Sequence, residues 1–245
     1  MPTLSVIIPT YNEIAYIEDA IKSVGFADEI IVIDSFSTDG TKEKAIALGC
    51  TVFERKFDNF SNQKNHVIPL AKGDWILFVD ADERVTQKLK LEILEAIKSA
   101  IYSAYKIKLP HFYMNRFLYH LENRIVRLVK NENIYFEGAV HERLIHSGKL
   151  GVLKNFMIHY TYKGLFQYIN KKDSYAWFQA KMAIEKKKKP TFFLLVFKPF
   201  YRFFHTYIVK RGFLDGVPGL AVAVIDAYGV LSRYVKMMLL EKGLK

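Results

Sequence analysis

The chain of 245 residues contains a single cysteine, Cys50. One cysteine excludes an intramolecular disulfide framework and fits a reducing compartment. Cys50 follows Gly49 and precedes a short apolar run, so it reads as a small core residue and not as a nucleophile. The opening Met1-Pro2-Thr3-Leu4 lacks the basic and then long apolar stretches of a secretory leader, which points to the cytoplasmic side. No internal repeat and no Gly/Ser linker interrupts the first hundred residues. Acidic residues are scarce at the far end. Residues 151–245 carry 5 Asp/Glu against 17 Lys/Arg, while residues 1–150 carry 20 against 19. The whole net charge of +11 therefore lies in the last two fifths. That asymmetry suits a polyanionic partner, a membrane surface or nucleic acid, or else a solvated basic face. With 51% hydrophobic residues, the chain can bury one large core and an appendage.

The first hundred residues alternate strand and helix. Leu4-Ser5-Val6-Ile7-Ile8 is nearly continuous in apolar residues, as in a parallel strand covered on both faces. Ile14, Ile17, Ile21 and Val24 recur at helical spacing. Glu29–Ile33 is the second strand. A helix from about Thr41 ends at Gly49, a C′ glycine, and Thr51–Phe53 is the third strand. A short helix over Gln63–Ile68 is closed by Pro69. Trp75–Val79 is the fourth strand. Thr86 caps a further helix marked by Leu89, Ile93 and Ile97. Repeated β-α-β units predict a mostly parallel sheet with helices on both faces.

The fourth strand stops on Val79-Asp80-Ala81-Asp82-Glu83. Alternate strand residues share a face, so Asp80 and Asp82 converge if the extended backbone persists. Hard oxygen ligands suit Mg²⁺ or Mn²⁺ carrying a substrate diphosphate, whereas the bland alternative is an acidic turn. Pro9–Glu13 follows the first strand and Asp34–Thr41 the second. Polar groups at three strand ends on one sheet edge imply a common cleft. Thr10 and Asn12 also suit a turn, and Asp39 suits a helix cap. Asp34, directly after a buried strand, needs a donor partner.

Together these segments resemble the inverting glycosyltransferases of family 2, which have the GT-A fold. The motifs are Ser5–Glu13, Ile33–Thr41, Gln63-Lys64-Asn65, Gly73-Asp74-Trp75 and Val79–Glu83, in the family's order. Asp82-Glu83-Arg84, Val140-His141-Glu142-Arg143 and the late segment Tyr207–Gly219, which contains Arg211–Gly216, make the chain similar, within the family, to the lipopolysaccharide core glucosyltransferase (WaaE-like) group. The resemblance implies a nucleotide pocket lined by Thr10, with Tyr11 and Glu13 beside it. Asp34 would then accept a hydrogen bond from uracil, Lys64 would lie against the nucleotide, Asp80 would contact the ribose side and Asp82 would reach the metal. The donor expected is a UDP-sugar, with UDP-glucose as first choice. The acceptor expected is a saccharide or lipid-linked molecule such as lipopolysaccharide core.

The chemistry needs these groups. Breaking the sugar–phosphate bond leaves a charged diphosphate that a divalent cation stabilises. The acceptor hydroxyl needs a base, and inversion follows from one in-line displacement. Glu142 is the candidate base, with an ion pair to Arg143 or Arg124 as its alternative. His141 serves the metal, orients Glu142, or is satisfied by backbone. Asn123–Leu128 alternates like a strand, and Arg124 and Arg127 either meet phosphate or are exposed strand charges. A nucleotidyltransferase would want a Gly-rich basic phosphate loop, and Pro9–Glu13 has neither Gly nor Lys. A non-enzymatic membrane or nucleic-acid docking module would not need acidic strand ends.

The expected division is a GT-A catalytic domain over 1–160, split at 100 into nucleotide-binding and acceptor-side halves, followed by a basic, aromatic-rich helical region over 161–245. There Lys186–Lys189 precede Phe192–Phe204, in which Lys198, Pro199 and Arg202 interrupt the apolar run. A span needs about 20 predominantly apolar residues. The pattern reads better as an interfacial element on anionic lipid, peripheral to the cytoplasmic face of the inner membrane, without nucleic acid. Ordinary helices packed on a core are the alternative.

Overall fold

A computed structural model describes residues 2–138, 142–160 and 164–244. The chain divides into two compact units, 1–109 with 123–159, and 110–122 with 160–245. Placing 110–122 with the second unit is a division that reading along the chain does not reveal.

The first four strands are β1 (Leu4–Thr10), β2 (Glu29–Asp34), β3 (Thr51–Glu54) and β4 (Trp75–Phe78). They are mutually parallel in the order β3-β2-β1-β4, with Thr10 opposite Asp34 and Ile7 opposite Phe78. The sheet continues through β7 (Arg116–Lys130), β6 (Ala104–Tyr113), β10 (Leu150–His159) and β5 (Glu83–Val85). Here β7 runs antiparallel to β4, and β5 antiparallel to β10. A small antiparallel pair, β8 (Tyr135–Glu137) and β9 (Arg143–Ile145), stands apart from it in the strand order.

The two-residue period of β1 sorts its side chains into two layers. Leu4, Val6 and Ile8 join Trp75 and Leu77 in a core closed by α1 (Ile14–Ser23) and α4 (Gln87–Ser99). Ile7 joins Ile31, Ile33, Ile76 and Phe78 in a second core under α3 (Phe60–Val67). Helices therefore cover both faces, as the apolar runs predict. Cap chemistry sets the helix starts. Thr86 accepts the Leu89 amide, as expected, and Asn59 accepts the Asn62 amide, so α3 begins three residues earlier than Gln63. Helix α2 (Thr41–Ala47) contributes buried Ala45 to the first core and ends near Gly49, at φ +81°.

The second unit contains α5 (Leu165–Glu185), α6 (Phe192–Phe204) and α7 (Gly216–Glu241), with a π turn over His205–Val209 and a 3-10 turn over Gly212–Asp215. Both α5 and α6 pack on α7. Tyr168, Val222 and Ile225 form one apolar cluster with Tyr113, Leu118 and Leu121, and Ala180, Tyr234 and Met237 form another. Lys236 pairs with Asp173 at 2.6 Å and Lys172 with Asp226 at 2.5 Å, tying α7 to α5. Gly212 and Gly219 approach closely: a Cβ on Gly219 would lie 1.9 Å from the Gly212 carbonyl oxygen.

Candidate active site at the carboxyl ends of the parallel strands

The ends of β1 and β2 are stitched into one surface. Ser35 donates its amide to the Thr10 carbonyl at 3.0 Å. Asp34 is fully buried, and its donor partner is Ser37, through the amide at 2.7 Å and the hydroxyl at 2.5 Å. Each Asp34 oxygen keeps a second lone pair. The Ser37 hydroxyl also accepts the Asn12 amide, and Asn12 Oδ1 accepts the Thr38 amide. Asn12 sits at φ +52°, a conformation Asn tolerates better than most residues. Asp39 ties the starts of two helices together, accepting the Ile14 amide with one oxygen and the Thr41 amide and hydroxyl with the other. The Thr10 hydroxyl is buried and has no hydrogen-bond partner among the described residues. Tyr11 is exposed, and the Glu13 amide donates to the Thr41 hydroxyl.

The acidic tip of β4 departs from an extended strand. The chain turns over Asp80–Asp82, and Glu83 returns its amide to the Asp80 carbonyl at 2.9 Å. The two aspartates therefore do not project as alternate residues of a strand. Asp80 faces Arg127, 2.7 Å from Nη2, with Lys64 Nζ at 4.0 Å. Asp82 faces His159, Oδ1 to Nε2, at 3.6 Å. Arg84 fixes the turn by donating to the carbonyls of Ala81, Glu83 and Tyr16.

Arg127 is a correction to the sequence reading. It is neither an exposed strand charge nor a group facing open solvent. It is buried, and the same nitrogen that holds Asp80 reaches Glu83 Oε1 at 2.5 Å. Glu83, fully buried, also accepts the Asp80 amide at 2.9 Å. Burial by itself would raise the Asp80 carboxyl, but the charges of Arg127 and Lys64 outweigh it and hold that carboxyl well below the usual range. For Glu83 burial prevails over Arg127, and the carboxyl is pushed well above the usual range.

Glu142 has an ion-pair partner that the sequence reading did not name: Lys64 Nζ stands 3.0 Å from its Oε1. Lys64 is itself buried, over the Phe136 ring at 4.9 Å, and bridges Asp80 and Glu142. The structure thus brings Lys64, Asp80 and Glu142 into one cluster, adds Glu83 and Arg127, and keeps Asp34 in the hydrogen-bonded strand-end network with Thr10. His141 lies outside the described residues. Sequence reasoning missed Glu83 and His159, and it read Arg127 only as a phosphate contact or an exposed strand charge. The signals were present in the Glu83-Arg84 pair that directly follows the acidic turn and in a histidine closing β10.

No three His, Cys, Asp or Glu side chains among the described residues form a ready cage. Mg²⁺ and Mn²⁺ bound with a diphosphate need only one or two protein ligands, the rest being phosphate oxygens and water. The Asp82 carboxylate, one fifth exposed and faced by an imidazole, fits that demand.

Parallel strands with an acidic turn and polar strand ends on one edge put the candidate site where open α/β sheets bind their ligands. The profile of "Glycosyl transferase family 2" matches residues 5–178. The chain belongs to that family and is a glycosyltransferase. It is similar to an "Uncharacterized glycosyltransferase" of Rickettsia bellii, 31% identical over 251 residues that cover 96% of this chain and 85% of the relative. It is also similar to the "Lipopolysaccharide core biosynthesis glycosyltransferase LpsC" of Rhizobium meliloti, 26% identical over 252 residues, covering 94% and 93%. Among solved structures, S. aureus TarS residues 1–349 in complex with UDP-GlcNAc shares the fold, with a TM-score of 0.51 at 15% identity over 99% of this chain and 92% of that one.

Proposed function

We propose that this enzyme transfers a sugar, with glucose the first choice, from a UDP-sugar to a saccharide or lipid-linked acceptor such as lipopolysaccharide core, with inversion at the anomeric carbon. The observation that carries the reading is the meeting of Asp80, Lys64 and Glu142 beside the acidic turn, with buried Asp34 and a Thr10 hydroxyl that has no partner among the described residues at the neighbouring strand ends. The name of the Rhizobium relative supports the choice of acceptor.

Thr10, Tyr11, Glu13 and Asp34 receive the nucleoside, and the free Thr10 oxygen gains a partner there. Asp80, immobilised by Arg127, faces the ribose side. Asp82, with His159 as its neighbour and His141 as a further candidate, would hold Mg²⁺ or Mn²⁺. The ion, when bound, stabilises the negative charge of the departing diphosphate. Lys64 supplies a positive charge between the donor side and Glu142. Glu142 takes the proton of the acceptor hydroxyl as that oxygen attacks, so one bond forms as the sugar–phosphate bond breaks. The basic second unit keeps the enzyme peripheral to the cytoplasmic face of the inner membrane, within reach of a lipid-linked acceptor.

The test is a donor screen for UDP release by the purified full chain in detergent, with Asp82→Ala as control. UDP-glucose is expected to support turnover, and Asp82→Ala to lose at least ~100-fold, because metal stabilisation of a leaving group is worth several kcal/mol. Near-normal turnover in that variant refutes the metal assignment.

A further inference from the structure

Helix α6 has one apolar face too many. Leu194 and Leu195 turn inward, packed against the cluster of Ala180, Tyr234 and Met237. Phe193, Phe197, Phe200 and Phe204 recur at spacings of four, three and four residues, which places them along a single stripe. All four are exposed, by 56–71%. Four phenylalanines on one helix stripe form the kind of contiguous apolar patch that a soluble surface rarely leaves bare.

The charge around this stripe selects its occupant. From Lys186 to Leu214 the chain carries eight Lys/Arg and no Asp/Glu. Lys198 and Arg202 lie within α6, on positions turned away from the phenylalanine stripe by the helical period. A helix with aromatics on one side and cations on the other matches an element lying in the plane of an anionic bilayer. There the rings enter the acyl boundary while the long basic side chains reach the headgroups.

The alternative membrane element is α7. Gly212–Glu241 is the one segment among the described residues long and apolar enough to cross a bilayer. Its charges argue otherwise. Asp226 and Lys236 are paired to Lys172 and Asp173 of α5, and Ser232 donates to Asp173 at 2.7 Å. Those pairs commit α7 to a helix layer within the second unit.

We infer that the Phe193–Phe204 stripe of α6 is a lipid-docking face that inserts at the interface of an anionic membrane without spanning it. The inference rests on the proposed membrane-side acceptor for its purpose only, because lipid binding is measured with neither donor nor acceptor present. The test is sedimentation of the full chain with vesicles of phosphatidylcholine, alone or with added phosphatidylglycerol. Binding is expected to the mixed vesicles, to weaken with salt, and to be lost on alkaline carbonate washing. Phe197→Ser with Phe200→Ser should weaken partitioning at least about tenfold. Both side chains are exposed, so the variant should keep its melting temperature and its UDP release in detergent. Replacing Lys186–Lys189 by Gln should remove most of the preference for phosphatidylglycerol. Unchanged partitioning of the phenylalanine variant overturns the proposal. So does resistance of the wild type to carbonate, which would mean a span. A lipid-free dimer that the phenylalanine variant dissolves would also overturn it, since the stripe would then belong to a second copy. Loss of UDP release in Asp82→Ala with vesicle binding intact would separate the chemistry from this surface.

Discussion

Arg127 is the most informative residue to remove. Its guanidinium is buried, 2.7 Å from Asp80 Oδ2 and 2.5 Å from Glu83 Oε1. Methionine keeps much of the side-chain bulk and takes away the charge. Asp80 and Glu83 would then adjoin each other, with Lys64 at 4.0 Å from Asp80 the remaining nearby cation named in the cluster. Breaking a buried ion pair costs about 3–5 kcal/mol because an uncompensated charge is left behind. The Asp80 side chain is about a third exposed, which screens its share, so the expected loss is near the lower end, about 3 kcal/mol. At about 2–4 °C per kcal/mol for a chain of this size, the melting temperature should fall by about 6–12 °C. The loss should also depend on pH. Glu83 has a raised folded-state pKa, so between its unfolded and folded values the native protein binds the extra proton, and stability falls as pH rises. Without Arg127 that window widens, so urea denaturation should show a larger deficit near pH 8 than near pH 5.5. Arg127→Lys restores charge without the two-pronged guanidinium and should recover only part of the loss. An Arg127→Met protein within about 1 kcal/mol of wild type at both pH values, with unchanged UDP affinity, would refute the claim that this residue frames the acidic turn.

Two further outcomes follow from local geometry. The Cys50 thiol, pushed up to about 11 by burial, should react with a thiol reagent near pH 7.5 far more slowly than a free cysteine, and unfolding in urea should abolish the difference. Gly219→Ala would set a Cβ against the Gly212 carbonyl and should destabilise the second unit by about 1–3 kcal/mol, read as a lower melting temperature, with UDP binding at the first unit retained.

The parallel half of the sheet was legible in the sequence because its signals are local. The run Leu4–Ile8, the helical spacing from Ile14 to Val24 and the Thr86 cap each act within a few residues. The polar strand ends were legible for the same reason, since they directly follow those runs. The partners of the acidic turn were not. Arg127 comes from 47 residues beyond Asp80, and Lys64 reaches Glu142 across 78. Alternation along Asn123–Leu128 correctly suggests a strand but does not tell which charged member will be buried. Glu83 presented the opposite difficulty. It was visible in the motif, but its full burial depends on Arg127 arriving from another strand. Lys64 was named from resemblance alone, and nothing in its neighbours announced that a lysine would stand over Phe136 between two carboxylates.

The central claim is that polar ends of neighbouring strands receive a uridine nucleotide with a divalent cation. Calorimetric titration of UDP into the full chain, with and without Mn²⁺, tests it most directly. The account predicts binding that Mn²⁺ strengthens, a metal-dependent gain that disappears in Asp82→Ala, and weaker binding with or without the ion in Asp34→Ala. Equal UDP affinity in the wild type and both variants, whether or not Mn²⁺ is present, would contradict it.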